Sequence, residues 1–292
     1  MQNEMPIPLR QYRDFGQLIS TTFQFLRQNW RPLFRAIGVI CLPPGLIAGF
    51  LLGRSLGDLQ RLTMVNAGQG GQFNGFMQMV PMILGYVLLL FTIVLLITIV
   101  YEYLRAYEKG EHHALGAADL WKRSIAEIGN YIGISLLMGI LVVIGTMLCF
   151  FPGVYVFVAL SLTYIVHAIE RKGVIDSMKR SQHLIKERWW ETFGLIIILG
   201  LIQSVIAYAL MIPTMIVSFA IGFNSLDGGQ PDQEQFMDWY TITMALMMTI
   251  NMLVTMLTYP IMAVALGLKY YSLVEEKEGL GLRQKIQGFE QA

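Results

Sequence analysis

The chain has 292 residues, 55% of them hydrophobic and 14% charged, with a formal net charge of +1. Soluble domains carry roughly 25% charged residues, so this composition excludes an ordinary soluble domain, while the near-zero net charge says nothing about partners. The charges are also unevenly spread, and long windows carry none.

In chain order, residues 14–30 place Phe15, Leu18, Ile19, Thr22, Leu26 and Trp30 on one helical face, with Arg13, Gln17, Gln24, Arg27 and Gln28 elsewhere. That spacing predicts an amphipathic helix. The early arginines, with no apolar core close behind a charged start, predict no cleavable signal peptide. An apolar window follows at 33–53. It is interrupted by Pro43-Pro44-Gly45, where a kink is expected because proline removes a backbone hydrogen bond. The stretch Asn66-Ala67-Gly68-Gln69-Gly70-Gly71 reads as flexible polar chain, and a second apolar window covers 80–101. Residues 115–128 repeat the amphipathic pattern, with Ala118, Trp121, Ile125 and Ile128 opposite Asp119, Lys122, Arg123 and Glu127. Windows at 129–149 and 153–169 come next, with Phe151-Pro152-Gly153 expected as the tight outer turn between them and Phe150, Phe151 and Tyr155 as an interfacial belt.

Residues 174–190 carry the amphipathic pattern a third time, with Ile175, Met178, Ile185 and Trp189 opposite Lys179, Arg180, His183 and Lys186. The windows 192–222 and 239–268 complete the set, holding Pro213 and Pro260 as further expected kinks. The loop between them contains Asp227, Asp232, Glu234 and Asp238 without a basic residue, and is expected to be solvated acidic chain.

A bilayer core about 30 Å thick needs about 20 apolar residues per helix, since lipid offers backbone amides no partner. The windows therefore predict one all-α integral membrane domain over residues 1–292, with six transmembrane helices. Basic residues, counted segment by segment with Arg35 taken with the N-terminal stretch, alternate between rich and poor stretches that hold 19 and 2 in total. Basic loops stay cytoplasmic, which places both termini inside a bacterial-type cytoplasmic membrane. The three amphipathic stretches fit cytoplasmic interfacial helices and equally fit helices whose apolar faces pack on the bundle. The order of amphipathic helix, span, span occurs three times. Lys122-Arg123-Ser124 matches Lys179-Arg180-Ser181, and Trp30 and Phe34 match Trp189 and Phe193, so a threefold repeat is expected.

Pro152-Gly153-Val154-Tyr155, Glu170, Gly173, Ser177-Met178-Lys179-Arg180-Ser181, Leu184 and Trp189 together resemble the membrane domain associated with glycerophosphoryl diester phosphodiesterases and related six-span proteins of unknown function. Arg13-Asp14-Phe15-Gly16 through Asn29-Trp30 is similar to that family's first amphipathic helix. The sequence departs at Glu187, where the family often has Gly. The resemblance implies the membrane architecture alone, because the phosphodiesterase chemistry belongs to a separate soluble domain and no hydrophilic stretch here is long enough to fold one.

No catalytic constellation is legible. His112 and His113 sit beside Glu108 and Glu111 without further ligands at metal-binding spacing. His183 falls on a charged helix face, and Glu102 and Glu170 stand near Arg105, Arg171 and Lys172, which favours ion pairing. Cys41 and Cys149 read as small apolar residues, and Met244, Met248, Met252 and Met256 as packing residues. No cofactor and no metal are expected.

Ionisable residues are missing from the middle of every window, where a charge-coupled transporter would hold them. Gln203 and Asn251 are the expected intramembrane polar contacts, together with Ser204, Ser161 and Thr163. Lys179, Arg180, Lys186 and Arg188 are the expected contacts to lipid headgroups. The resulting expectation is a non-catalytic, lipid-contacting scaffold or accessory subunit. Its partners would be anionic lipids and a membrane protein, with no nucleic acid. A permease for a small neutral or amphipathic solute stands second, and a lipid-headgroup enzyme third.

Overall fold

The computed structural model describes residues 6–66, 75–111, 116–224 and 233–279. His112, His113, Gly68 to Gly71, Asp227 and Asp232 lie outside the described residues. Every regular element among those described is helical: α1 Phe15–Asn66, α2 Gly75–Glu108, α3 Ala117–Leu148, α4 Phe150–Leu160, α5 Thr163–Glu170, α6 Val174–Ile185, a 3-10 turn Lys186–Arg188, α7 Trp189–Asn224 and α8 Gln233–Glu278. Six helical stretches are long and apolar enough to cross a membrane: Phe15–Gln60, Met79–Glu108, Ala117–Leu148, Phe150–Glu170, Val174–Ala209 and Asp238–Glu278. Their lengths and composition make this a multi-pass helical membrane protein.

The helices are drawn differently from the sequence pattern in three places. The first two amphipathic stretches do not stand apart from the windows that follow, and run into them within α1 and α3. The reason lies in packing. Leu18, Thr22, Phe25, Leu26 and Leu33 are buried along one face of α1, and Phe25 meets Tyr107 edge-on at 4.9 Å. A helix held on that face has no cause to break at the interface. α2 contains Pro81, and α1 runs through Pro43 and Pro44 and α8 through Pro260, where kinks and not helix ends are expected. Instead the fourth window breaks at Ser161-Leu162, where no proline stands, dividing α4 from α5. Hydroxyls serve the carbonyls freed there: Thr163 Oγ1 donates to Leu160 O at 2.7 Å and Ser181 Oγ to Ala159 O at 2.9 Å. Finally, the turn expected at Phe151-Pro152-Gly153 falls one step earlier. Cys149 is the extended residue (φ −169°, ψ 154°), and Pro152 sits in the first turn of α4, where its missing N–H is not needed. Gly153 is required by close approach, since a Cβ there would lie 2.1 Å from Thr146 Oγ1 and 2.9 Å from Thr146 N.

The chain divides into two compact units. The first comprises residues 1–36, 94–202 and 259–292, and so contains α3 to α6 whole together with one end each of α1, α2, α7 and α8. Its core includes Leu33, Leu95, Ile99, Leu104, Ile134, Ile165 and Leu268, all fully or nearly fully buried. The segment before α1 is fixed by Tyr107 Oη accepting from Ile7 N at 2.8 Å and by Ser272 Oγ accepting from Arg13 N at 3.0 Å. Arg10 adds an ion pair to Glu108 at 2.7 Å. Burial works to lower the Arg10 pKa, but the Glu108 carboxylate more than offsets it and holds the guanidinium above its ordinary value.

The second unit, residues 37–93 and 203–258, is the remaining length of the same four helices. Gly45, Gly49, Gly53 and Gly57 repeat at steps of four along α1, and each faces α8. A Cβ on Gly49 would lie 2.7 Å from Thr249 Cα, on Gly53 2.4 Å from Ala245 Cα, and on Gly57 2.7 Å from Thr241 Cα. Small residues at this spacing let two membrane helices touch backbone to backbone. Over Gly45 the gap is filled by Met256, whose Cε occupies the place a Cβ would take, with Met252 beside it. Both methionines are buried, in keeping with the packing reading of that stripe.

Candidate functional site

The densest polar feature lies within the first unit, at the ends of α2, α3 and α5. α2 contributes Glu102 and Arg105. α3 contributes Ser124, Glu127 and Tyr131, which share a face because three- and four-residue steps return to the same side of a helix. α5 contributes His167, and its C-cap is Arg171. That cap adopts the left-handed conformation (φ 52°, ψ 33°) and is the one non-glycine residue with positive φ among those described. Such a conformation costs a non-glycine residue roughly 1–2 kcal/mol. Here it turns the Arg171 guanidinium onto two carboxylates at once, Glu102 Oε2 at 2.8 Å and Glu127 Oε1 at 2.7 Å. Arg105 stands 3.6 Å from the same Glu102 oxygen.

His167 is nearly buried, and its Nδ1 lies 2.7 Å from Lys172 O. A carbonyl only accepts, so Nδ1 is the donor. Nε2 is left 3.4 Å from Glu127 Oε2 without a hydrogen bond. The Tyr131 ring meets the imidazole edge-on at 5.3 Å. Four buried polar atoms of these residues lack a hydrogen-bond partner among the described residues: Glu102 Oε1, Ser124 Oγ, Tyr131 Oη and His167 Nε2. Buried polar groups are normally satisfied, so these atoms set the cluster apart from the rest of the core. Among the described residues, no group of three or more His, Cys, Asp and Glu is placed to hold a metal ion.

Further charges surround this core within the same unit. Glu170 pairs with Arg180 at 3.0 Å and accepts from Tyr270 Oη at 3.0 Å. Arg180 also pairs with Glu278, and Arg188 with Glu276 and Glu191. Lys269, buried on α8, reaches Glu191 at 2.9 Å. Glu111, beyond the end of α2, is held below the ordinary carboxylate range by its hydrogen bond to Arg123.

The residues expected at headgroups therefore divide. Arg180 and Arg188 are held by glutamates, whereas Lys179 on α6 and Lys186 in the 3-10 turn are exposed, with the buried face of α6, Ser177, Met178, Ser181, Leu184 and Ile185, turned away. Of the two intramembrane polar residues, Gln203 Nε2 donates to Thr258 O at 2.6 Å, joining α7 to α8, while Asn251 is exposed. Glu102 and Glu170 are ion-paired, although Arg171 serves Glu102 rather than its sequence neighbour. Sequence reasoning did not find the roles of Ser124, Glu127, Tyr131 and His167. The available signal was the pairing of two four-residue steps, Glu127 with Tyr131 and His167 with Arg171, at the ends of apolar windows.

A family model matches residues 24–273, and the chain belongs to that family, described as Domain of unknown function (DUF7847). The match covers most of both units. Nothing links the chain to the glycerophosphoryl diester phosphodiesterase family named in the expected resemblance, while six apolar helices and a domain of unknown function agree with its coarser part, a membrane protein of unknown function. No curated protein and no solved structure matches the chain.

Proposed function

We propose that the chain is a non-catalytic membrane protein that acts as a lipid-contacting scaffold or accessory subunit, with both termini in the cytoplasm of a bacterial-type cytoplasmic membrane. The observation that carries this reading is the division of labour among the basic residues of α6 and the 3-10 turn that follows it. Arg180 and Arg188 are consumed by Glu170, Glu278, Glu276 and Glu191. Lys179 and Lys186 stay exposed, and the exposed apolar Ile175 and Trp190 flank them in sequence. An exposed ammonium near an anionic leaflet gains about 1 kcal/mol, and flanking apolar side chains anchor such a helix at the interface. The threefold repeat belongs to the same proposal. Arg123 and Arg180 each bond a glutamate, and Ser124 and Ser181 beside them are each fully buried.

Replacing both lysines (Lys179→Gln with Lys186→Gln) should lower the anionic lipid retained on purification about fivefold per lysine, the equivalent of ~1 kcal/mol each. The unfolding temperature should hardly move. Unchanged lipid content in that double variant sinks the lipid-contact reading. A permease for a small neutral or amphipathic solute is the second reading. The break at Ser161-Leu162 and the unpartnered Ser161 Oγ favour it, since broken helices line many solute paths.

A further inference from the structure

We propose that the α3–α4 hairpin does not cross the bilayer, and that its apolar tip inserts into the acyl chains of the cytoplasmic leaflet. On this account α1, α2, α7 and α8 are the crossing helices. The proposal rests on the inward orientation of the termini proposed above, and stands or falls separately from lipid binding by Lys179 and Lys186.

Glu191 and Lys269 mark the inner boundary of the membrane. The apolar windows of α7 and α8 stop at Glu191 and Lys269, and these two side chains bond at 2.9 Å. That pair therefore marks one height. Trp189, two residues before Glu191, begins α7. Its Nε1 donates to Tyr155 O at 3.3 Å, and its ring stacks on the Tyr155 ring at 5.6 Å. Tyr155 consequently lies near the inner boundary. If the hairpin crossed, Tyr155 would be 16 residues from Arg171 along a rising helix, about 24 Å away at 1.5 Å per residue. One indole cannot reach across that distance.

α6 says the same along its whole length. Its Val174 packs where a Cβ on Gly133 would lie, at 3.4 Å. Met178 joins Met138 and Leu160 in one buried cluster, and Ser181 bonds Ala159 O. The helix thus tracks the hairpin from α3 towards Tyr155, over about 18 Å for twelve residues. The opposite face of α6 exposes Asp176, Lys179, Gln182, His183 and Lys186. A helix face this polar belongs in the interface, and the hairpin packed along it lies at that level too.

The tip completes the case. From Met147 to Val154 the chain has no polar side chain other than the Cys149 thiol. Met147 is 83% exposed, Leu148 79%, Phe150 67% and Phe151 77%. A loop meeting water on the outer face would display four large apolar side chains to it. The turn also limits its open donors, because Cys149 N bonds Gly145 O at 3.2 Å and Pro152 has no N–H. The basic-residue asymmetry is indifferent to the change, since the tip holds no Lys or Arg and the other loops keep their sides.

Cys149, at the tip and exposed, is a native probe once Cys41 is replaced (Cys41→Ala). In sealed membranes an impermeant maleimide should label Cys149 from neither face, while Gly70→Cys and Gln230→Cys label from outside. After reconstitution, a bimane on Cys149 should be quenched by doxyl-labelled lipid and little by aqueous iodide. Labelling of Cys149 from outside overturns the proposal in favour of six crossings. Labelling from inside, or a bimane that lipid quenchers do not reach, overturns it in favour of a tip standing in the cytoplasm or against a protein.

Discussion

The two units are held together by opposite means. The first buries charge: Glu102, Lys269 and Arg13 are each at most 5% exposed, and carboxylates link α2, α3, α5, α6, α7 and α8. The second packs backbone on backbone through Gly49, Gly53 and Gly57. The difference follows from what each solution demands. A buried carboxylate is tolerable only beside its cations, so the first unit depends on partners that lie far apart in sequence. A glycine stripe needs only that nothing grows on one face of one helix, so its vulnerability is steric.

Removing a partner from the first unit should have the largest effect. Arg171→Ala takes the shared cation from Glu102 and Glu127 and leaves the buried Glu102 only Arg105, at 3.6 Å; breaking a buried pair costs up to about 3–5 kcal/mol. Thermal unfolding of the purified protein should show a large loss, and Arg171→Gly should show the same loss although it relieves the left-handed backbone. If Arg171→Gly unfolds at the wild-type temperature, the ion pairs contribute little and the comparison between the units fails.

The glycine stripe comes next. Gly53→Val places methyl groups where Ala245 Cα already stands, 2.4 Å from the first added carbon. Overpacking of this kind costs about 1–3 kcal/mol, and α1 must part from α8 to accept it. Gly38→Ala, on the same helix with nothing within 4 Å of the added carbon, should be neutral or slightly stabilising. Equal unfolding temperatures for the two variants would show that close approach is not what joins the second unit.

The sequence made some of this legible and hid the rest for identifiable reasons. The apolar windows were plain because hydrocarbon imposes length and composition on each helix by itself. The four-residue repeat of Gly45, Gly49, Gly53 and Gly57 was passed over, because its partners Ala245 and Thr249 lie some two hundred residues on. The break at Ser161-Leu162 carried no proline, and its capping depends on Ser181 from another helix. Arg171 was read with its neighbour Glu170, yet the left-handed cap swings it to Glu102. Each missed feature depends on a partner or a backbone turn that periodicity does not encode.

The smallest effect separates the two polar residues expected inside the membrane. Gln203 bonds the Thr258 carbonyl, and polar contacts between membrane helices contribute about 0.6 kcal/mol on average, with a ceiling near 1.7. Gln203→Leu keeps the bulk and loses the donor. Thr258 O belongs to a helical backbone, so no strongly orphaned acceptor remains, and the loss should stay under about 1 kcal/mol. Asn251 is exposed on α8, and Asn251→Leu removes no side-chain hydrogen bond to another helix among the described residues. It should lie within about 0.5 kcal/mol of wild type, as exposed substitutions away from special features do. The two variants share a chemical change and differ only in whether a neighbouring helix receives the amide. A loss at Asn251 that equals or exceeds the loss at Gln203 would point to a partner for Asn251 beyond the single chain. Concentration dependence of its unfolding temperature would then identify a second copy as that partner.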